Sequence, residues 1–148
     1  MSLHSNEYVM KGFFKPKNVK KYKGNAKNIV YRSSWELSYM MKLDADPNVV
    51  AWMSEEFFIP YTDKATGRFG HYYPDFWVKK KDGKVFVIEI KPHAQVKEPK
   101  RGKKSQRVFL NEVLTYGKNQ GKWESAKRYC DKKGWEFVIL TEKELKLW

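Results

Sequence analysis

At 148 residues the chain holds enough material for one buried core and too little for two. Thirty Lys and Arg against seventeen Asp and Glu leave a net charge of +13, a balance that points to a polyanionic partner, while 41% hydrophobic and 16% aromatic residues exclude a disordered basic tail. The single Cys130 excludes an intramolecular disulfide and lacks the Cys/His company of a zinc cage, so a reducing interior is expected. The polar N-terminus has no signal-like apolar stretch. Apolar runs such as 85–88 fall far short of the roughly 18 residues of a membrane span, and no lipidation motif marks a membrane surface.

Residues 1–30 read as a basic arm in which Lys11, Lys15, Lys17, Lys20, Lys21, Lys23 and Lys27 are punctuated by Gly12, Pro16 and Gly24. The interleaved Phe13, Phe14 and Tyr22 either stack on bases and sugars or pin the arm to the rest of the chain. Residues 31–148 then form one domain. A helix is expected from Ser33, with Trp35, Tyr39, Met40 and Leu43 at helical spacing and Asp46-Pro47-Asn48 as the stop. Residues 49–61 read as one or two strands with Glu55 and Glu56 in their middle, and 62–70 as a hairpin connection. Residues 71–79 read as a second strand, Asp82-Gly83 as a tight turn and 84–91 as a third strand. Pro92 and Pro99 make 92–104 an exposed basic loop carrying Lys97, Lys100, Arg101, Lys103 and Lys104. Residues 105–116 and 119–133 read as two helices separated at Gly117 and closed by Gly134, 135–140 as a strand, and Thr141-Glu142-Lys143-Glu144 as the capping box of a short final helix. A strand reached through a helical crossover after a hairpin implies an α/β architecture, a mixed central β-sheet flanked by helices.

The third expected strand carries an anomaly. With a period of two, Val85, Val87, Glu89 and Lys91 share one face, so two opposite charges project together from an otherwise apolar strand. Asp75 lies fourteen residues before Glu89, a separation that a hairpin around Asp82-Gly83 closes. Two carboxylates with the Ile90 carbonyl between Glu89 and Lys91 form an all-oxygen set, which suits Mg²⁺ or Mn²⁺. Simpler structural roles exist for each residue: Glu36, three after Ser33, as a capping-box partner; Asp75 as a turn residue; Glu89 with Lys91 as an ion pair. One of Glu55 and Glu56 could add an acid to the set. Lys122 and Lys127 either line a DNA cleft or, as the slightly favoured reading, keep a helix face solvated, and Trp123, Tyr129, Cys130 and Trp135 read as packing.

Pro74-Asp75-Phe76 followed by Glu89-Ile90-Lys91 resembles the signature of the PD-(D/E)XK nuclease superfamily, and the expected order α-β-β-β-α-β is similar to its restriction-endonuclease-like core. Arg32-Ser33-Ser34-Trp35-Glu36 ahead of that signature resembles the TnsA-type transposon endonucleases. The likeness is greater to the head-completion nuclease-like proteins of T-even-type tailed phages, where it extends through Ser54-Glu55-Glu56 to Ile139-Leu140-Thr141-Glu142-Lys143-Glu144-Leu145. The resemblance implies Mg²⁺-dependent hydrolysis of DNA to 5′-phosphate and 3′-hydroxyl ends. Asp75, Glu89 and the Ile90 carbonyl would hold the metal, Glu36 would ligate a second ion or its water, and Lys91 would orient or deprotonate the attacking water. It also implies phage head or packaging proteins as partners, and a location in the bacterial host cytoplasm or the virion. Cutting two strands with one site per chain would be easiest for a homodimer. A noncatalytic DNA-binding assembly protein that retains the nuclease fold is the alternative, and RNA binding through the arm is a third reading.

Overall fold

The computed structural model describes residues 11–145; the first ten residues of the expected arm and the closing Lys146-Leu147-Trp148 lie outside the described residues. In chain order the elements are β1 (Gly12–Phe13), a 3₁₀ turn (Val19–Lys21), β2 (Val30–Tyr31), α1 (Ser34–Ala45), β3 (Val49–Met53), β4 (Ile59–Thr62), β5 (Phe69–Tyr72), β6 (Phe76–Lys80), β7 (Val85–Ile90), α2 (His93–Val96), α3 (Gln106–Lys133), β8 (Glu136–Leu140) and α4 (Glu142–Leu145). The central sheet has the order β3-β6-β7-β8. Its first two pairings are antiparallel and β7–β8 is parallel, so the sheet is mixed, as the crossover through α3 requires.

The β6–β7 hairpin forms where the sequence predicts a tight turn: Gly83 takes a φ of 90°, and Asp82 Oδ1 accepts from the Lys84 N–H at 2.9 Å. Ser33 caps α1 by accepting from the Glu36 N–H at 3.1 Å, and the helix ends before Pro47. Tyr39, Met40 and Leu43 of α1 bury against Trp52, Phe76, Val78, Ile88 and Ile90 on one face of the sheet. Trp123 and Ala126 of α3 form a second core with Ile59, Tyr61, Tyr72 and, from β8, Phe137 and Ile139.

Four expectations are corrected. The strand expected over 71–79 is two, because Pro74 has no N–H for a ladder; β5 instead pairs with β4 in a separate two-stranded hairpin, and β6 begins after Asp75. The two helices expected around Gly117 are one helix of 28 residues. Its glycines serve close approach rather than termination: a Cβ on Gly121 would meet the Thr62 carbonyl oxygen at 1.9 Å, one on Gly117 would meet Ala65 Cβ at 2.8 Å, and the Gly117 carbonyl accepts from the Lys64 N–H at 3.2 Å. The exposed loop over 92–104 opens with the short α2 directly after Pro92, a residue that costs nothing at a helix start, and Lys97 to Lys104 then follow as an exposed loop.

The fourth concerns the basic segment. Over 11–31 it is not a free arm, and of the two roles open to its aromatics the structure shows the pinning one. β1 pairs with β2, the Lys23 N–H donates to the Trp52 carbonyl at 2.9 Å, and Tyr22 and Ile29 are buried. Tyr22 and Phe14 meet the Trp52 ring edge-on at 4.8 and 5.9 Å, so these aromatics pin the segment to the sheet, while Phe13 is exposed.

Candidate active site

The strand register brings several chain ends together. Met53 pairs with Trp77 and Phe76 with Ile88, so the end of β3, the start of β6 and the end of β7 meet at one edge of the sheet. Glu55 follows β3, Asp75 precedes β6 and Glu89 lies within β7, while the first turn of α1 supplies Glu36. Carboxylate oxygens of Glu36, Glu55 and Asp75 all lie within 4.8 Å of one another. Two oxygens on opposite sides of a Mg²⁺ ion stand about 4.2 Å apart, so this all-oxygen set fits a hard divalent cation after small inward shifts.

Each acid is held differently. Glu55 has a left-handed backbone, φ 54°, unusual for a residue with a Cβ, and this turn after β3 sends Glu55 and Glu56 to different partners. Glu55 pairs with the Arg32 guanidinium, whereas Glu56 accepts from the Tyr22 hydroxyl. Glu36 accepts from the Arg32 N–H at 3.2 Å, one residue short of the capping box its spacing predicts, so it both caps α1 and faces the cluster. Asp75 Oδ2 accepts from the Ile90 N–H at 2.7 Å. The Ile90 backbone therefore positions the first expected ligand, and the third carboxylate comes from Glu55.

Glu89 is buried, 6% exposed, and stands just beyond the three-acid cluster. Its Oε1 accepts from the Tyr72 hydroxyl at 2.7 Å and its Oε2 lies 3.9 Å from Lys91 Nζ, so the charges expected on one strand face do lie together. Burial first, then the charges of Glu89 and Glu36, raise the pKa of Asp75 well above the usual carboxylate range. Burial likewise raises Glu36, and raises Glu89 against the opposing pull of Lys91, Tyr72 and Lys122.

Lys122 corrects the expectation of a solvated face. It is half-buried on α3, with Nζ 5.7 and 5.8 Å from the ring centres of Tyr61 and Tyr72. Burial lowers its pKa while Glu89 raises it, which places the ammonium within the field of the acidic site. Lys127 is exposed, as expected. Lys122 lies next to the buried Gly121 and Trp123, at the border of the packed face, where helical period alone does not separate an inward from an outward lysine.

A pocket of about 230 Å³ opens beside Glu55, lined by Asn25, Asn28, Arg32 and Ser54 among others. Of the basic residues, Lys15, Lys17, Lys20, Lys23, Lys97, Lys100, Arg101 and Lys103 are exposed. Lys21 instead donates to the Asp44 and Asp46 carbonyls at 2.9 and 2.8 Å, closing the end of α1, and Lys104 pairs with Glu112 at 2.7 Å. No helix among the described residues is long and apolar enough to cross a membrane.

Comparison with known proteins gives two matches. Residues 46–142 match the family described as TnsA-like endonuclease N terminal. The chain is also 39% identical over 139 residues to the head completion nuclease of Enterobacteria phage T4, covering 91% of this chain and 93% of that protein.

Proposed function

The chain belongs to the TnsA-like endonuclease family, and from that premise we propose that it is a divalent-metal-dependent DNA nuclease with a restriction-endonuclease-like core, acting in phage head completion. The observation that carries this reading is the convergence of Glu36, Glu55 and Asp75 within 4.8 Å at the strand ends, beside Glu89 and Lys91, in a chain of net charge +13. Mg²⁺ or Mn²⁺ would be held by Asp75 and Glu55 with Glu36 and Glu89 in support, the Ile90 carbonyl being a further oxygen at the same strand end. When bound, such a cation supplies Lewis acidity to a phosphate oxygen and to the attacking water.

The chain's own residues complete the reaction. Lys91 is half-buried beside Glu89, placed to orient the water and to neutralise charge on the phosphate as the bond to O3′ breaks. Water adds to phosphorus and O3′ leaves with a proton, giving 5′-phosphate and 3′-hydroxyl ends. A bound cation would favour the ionised form of Asp75, which burial and its acidic neighbours disfavour, so metal affinity is expected to rise with pH. The exposed Lys15, Lys17, Lys20 and Lys23, with Lys97, Lys100, Arg101 and Lys103, would meet DNA phosphates. A homodimer would supply one site per strand, and a protein acting in head completion would work in the infected host cell or on the virion.

Incubation of the purified protein with plasmid DNA and Mg²⁺ or Mn²⁺ tests the reading. Cleavage by the wild type that is lost in Asp75→Ala is expected. Equal cleavage by both proteins, or none by either, would leave a noncatalytic DNA-binding protein in its place.

A further inference from the structure

The β4–β5 hairpin has two unlike faces. Its register pairs Ile59 with Tyr72, Pro60 with His71, Tyr61 with Gly70 and Thr62 with Phe69. On the inner side Ile59, Tyr61 and Tyr72 are buried with Trp123 and Ala126 of α3. On the outer side Phe58, Pro60 and Thr62 alternate along one strand and Phe69, His71 and Tyr73 along the other, and all six are exposed. A half-buried ribbon normally turns polar side chains to water. Four of these six positions carry aromatic rings instead.

The rings form a surface rather than isolated contacts. Phe69 is 89% exposed, Tyr73 50% and Phe58 42%. Phe58 stacks on His71 with centroids 4.1 Å apart and 29° between planes, and Tyr73 lies 5.8 Å from Phe58. Pro60 is the one aliphatic ring among the six, and the flat π faces that dominate the row suit flat bases.

Its position selects the ligand. Glu55 stands three residues before Phe58 and Asp75 two after Tyr73, so the platform joins the acidic cluster on both of its strands. The Tyr73 and Asp75 Cα atoms are at most about 7 Å apart. Between the exposed His71 and Tyr73, Tyr72 turns inward and donates to Glu89. We propose that the outer face of this hairpin is a stacking platform for unpaired DNA bases, so that the protein engages a single-stranded segment or an opened duplex end and presents the adjoining phosphate to Asp75. A closed duplex cannot use the platform, because its base faces are already stacked on one another. The delivery step rests on the nuclease reading; the stacking does not.

The two are separated by measuring binding in EDTA, where no metal-dependent cleavage occurs. Fluorescence anisotropy compares a labelled oligo-dT strand with a labelled, covalently closed duplex minicircle that has neither ends nor loops, for the wild type and for Phe58→Ala, Phe69→Ala, Tyr73→Ala and Tyr73→Phe. Each alanine is expected to weaken single-strand binding about fivefold or more, duplex binding less than about twofold, and Tyr73→Phe to keep single-strand affinity. Unchanged single-strand binding in all three alanine variants, or equal losses on both probes, would overturn the proposal. Absence of cleavage with Mg²⁺ would count against the nuclease reading and leave the stacking result standing.

Discussion

Glu55 and Glu89 stand at the ends of two strands of one sheet and carry the same charge, yet they keep different company. Around Glu55, two more carboxylates converge and a single guanidinium, Arg32, answers them. Around Glu89, a tyrosine hydroxyl, Lys91 and the field of Lys122 surround one carboxylate. The first arrangement is short of positive charge and would gain by taking up a cation; the second is already compensated and, on the proposed function, would supply the positive groups a phosphate needs. Asp75 joins them, since the charges of Glu89 and Glu36 both act on its carboxyl. Crowding like charges is costly to the fold, so the acid-rich half is where stability and function should part.

Asp75→Asn is the substitution that should break this division most clearly. Cleavage is expected to fall by about 10³-fold, while the metal-free variant melts roughly 2–4 °C higher than the wild type at neutral pH because burial and the neighbouring acids penalise an ionisable carboxyl at this position. Activity assays and calorimetry in EDTA read the two effects; a variant that is both inactive and less stable would mean that Asp75 is primarily a structural residue. Mg²⁺ at 100 times its dissociation constant should stabilise the wild type by about 2.7 kcal/mol and leave Asp75→Asn unmoved, as thermal shift would show.

The compensated half is tested by Lys122. If its contact with Tyr61 and Tyr72 only packs α3 against the hairpin, Lys122→Met keeps activity. A loss of about tenfold in kcat, partly restored by Lys122→Arg and without a change in melting temperature, is expected instead.

Titration sharpens the same contrast. Asp75, Glu36 and Glu89 all have pKa values raised by folding, so the folded state binds more protons than the unfolded one in the range above the ordinary carboxylate value. Their contribution therefore rises as pH falls from neutrality toward about 4 and is lost as pH climbs through the raised values. Denaturant unfolding in EDTA should show greater stability at pH 5 than at pH 7, with a weaker slope in Asp75→Asn. The smallest effects belong to the exposed basic loop. Neutralising Lys97, Lys100, Arg101 or Lys103 singly should lower the salt dependence of DNA binding by about 0.9 in log–log slope each, with kcat unchanged.

Sequence reasoning reads this molecule best where one local rule suffices. Ser33, Asp82-Gly83 and Gly134 mark their helix and turn boundaries because capping and left-handed backbone are properties of a few adjacent residues. Gly117 misleads, since the hairpin that needs its missing side chain, as it needs that of Gly121, is distant in sequence and decides its role. Asp75 and Glu89 are legible as a pair from the hairpin between them, but Glu55 enters the site through a left-handed turn that strand alternation does not describe. Lys21 shows the limit of counting charge: it resembles its neighbours in sequence, yet its ammonium closes the end of α1.

The central claim is that the acids at this edge of the sheet hold one functional divalent cation. Anomalous diffraction from a crystal containing Mn²⁺ tests it most directly. The account predicts a peak within about 2.5 Å of a carboxylate oxygen of Asp75 and of at least one among Glu36, Glu55 and Glu89, absent in Asp75→Asn. Mn²⁺ bound elsewhere, with this edge of the sheet empty, would contradict it.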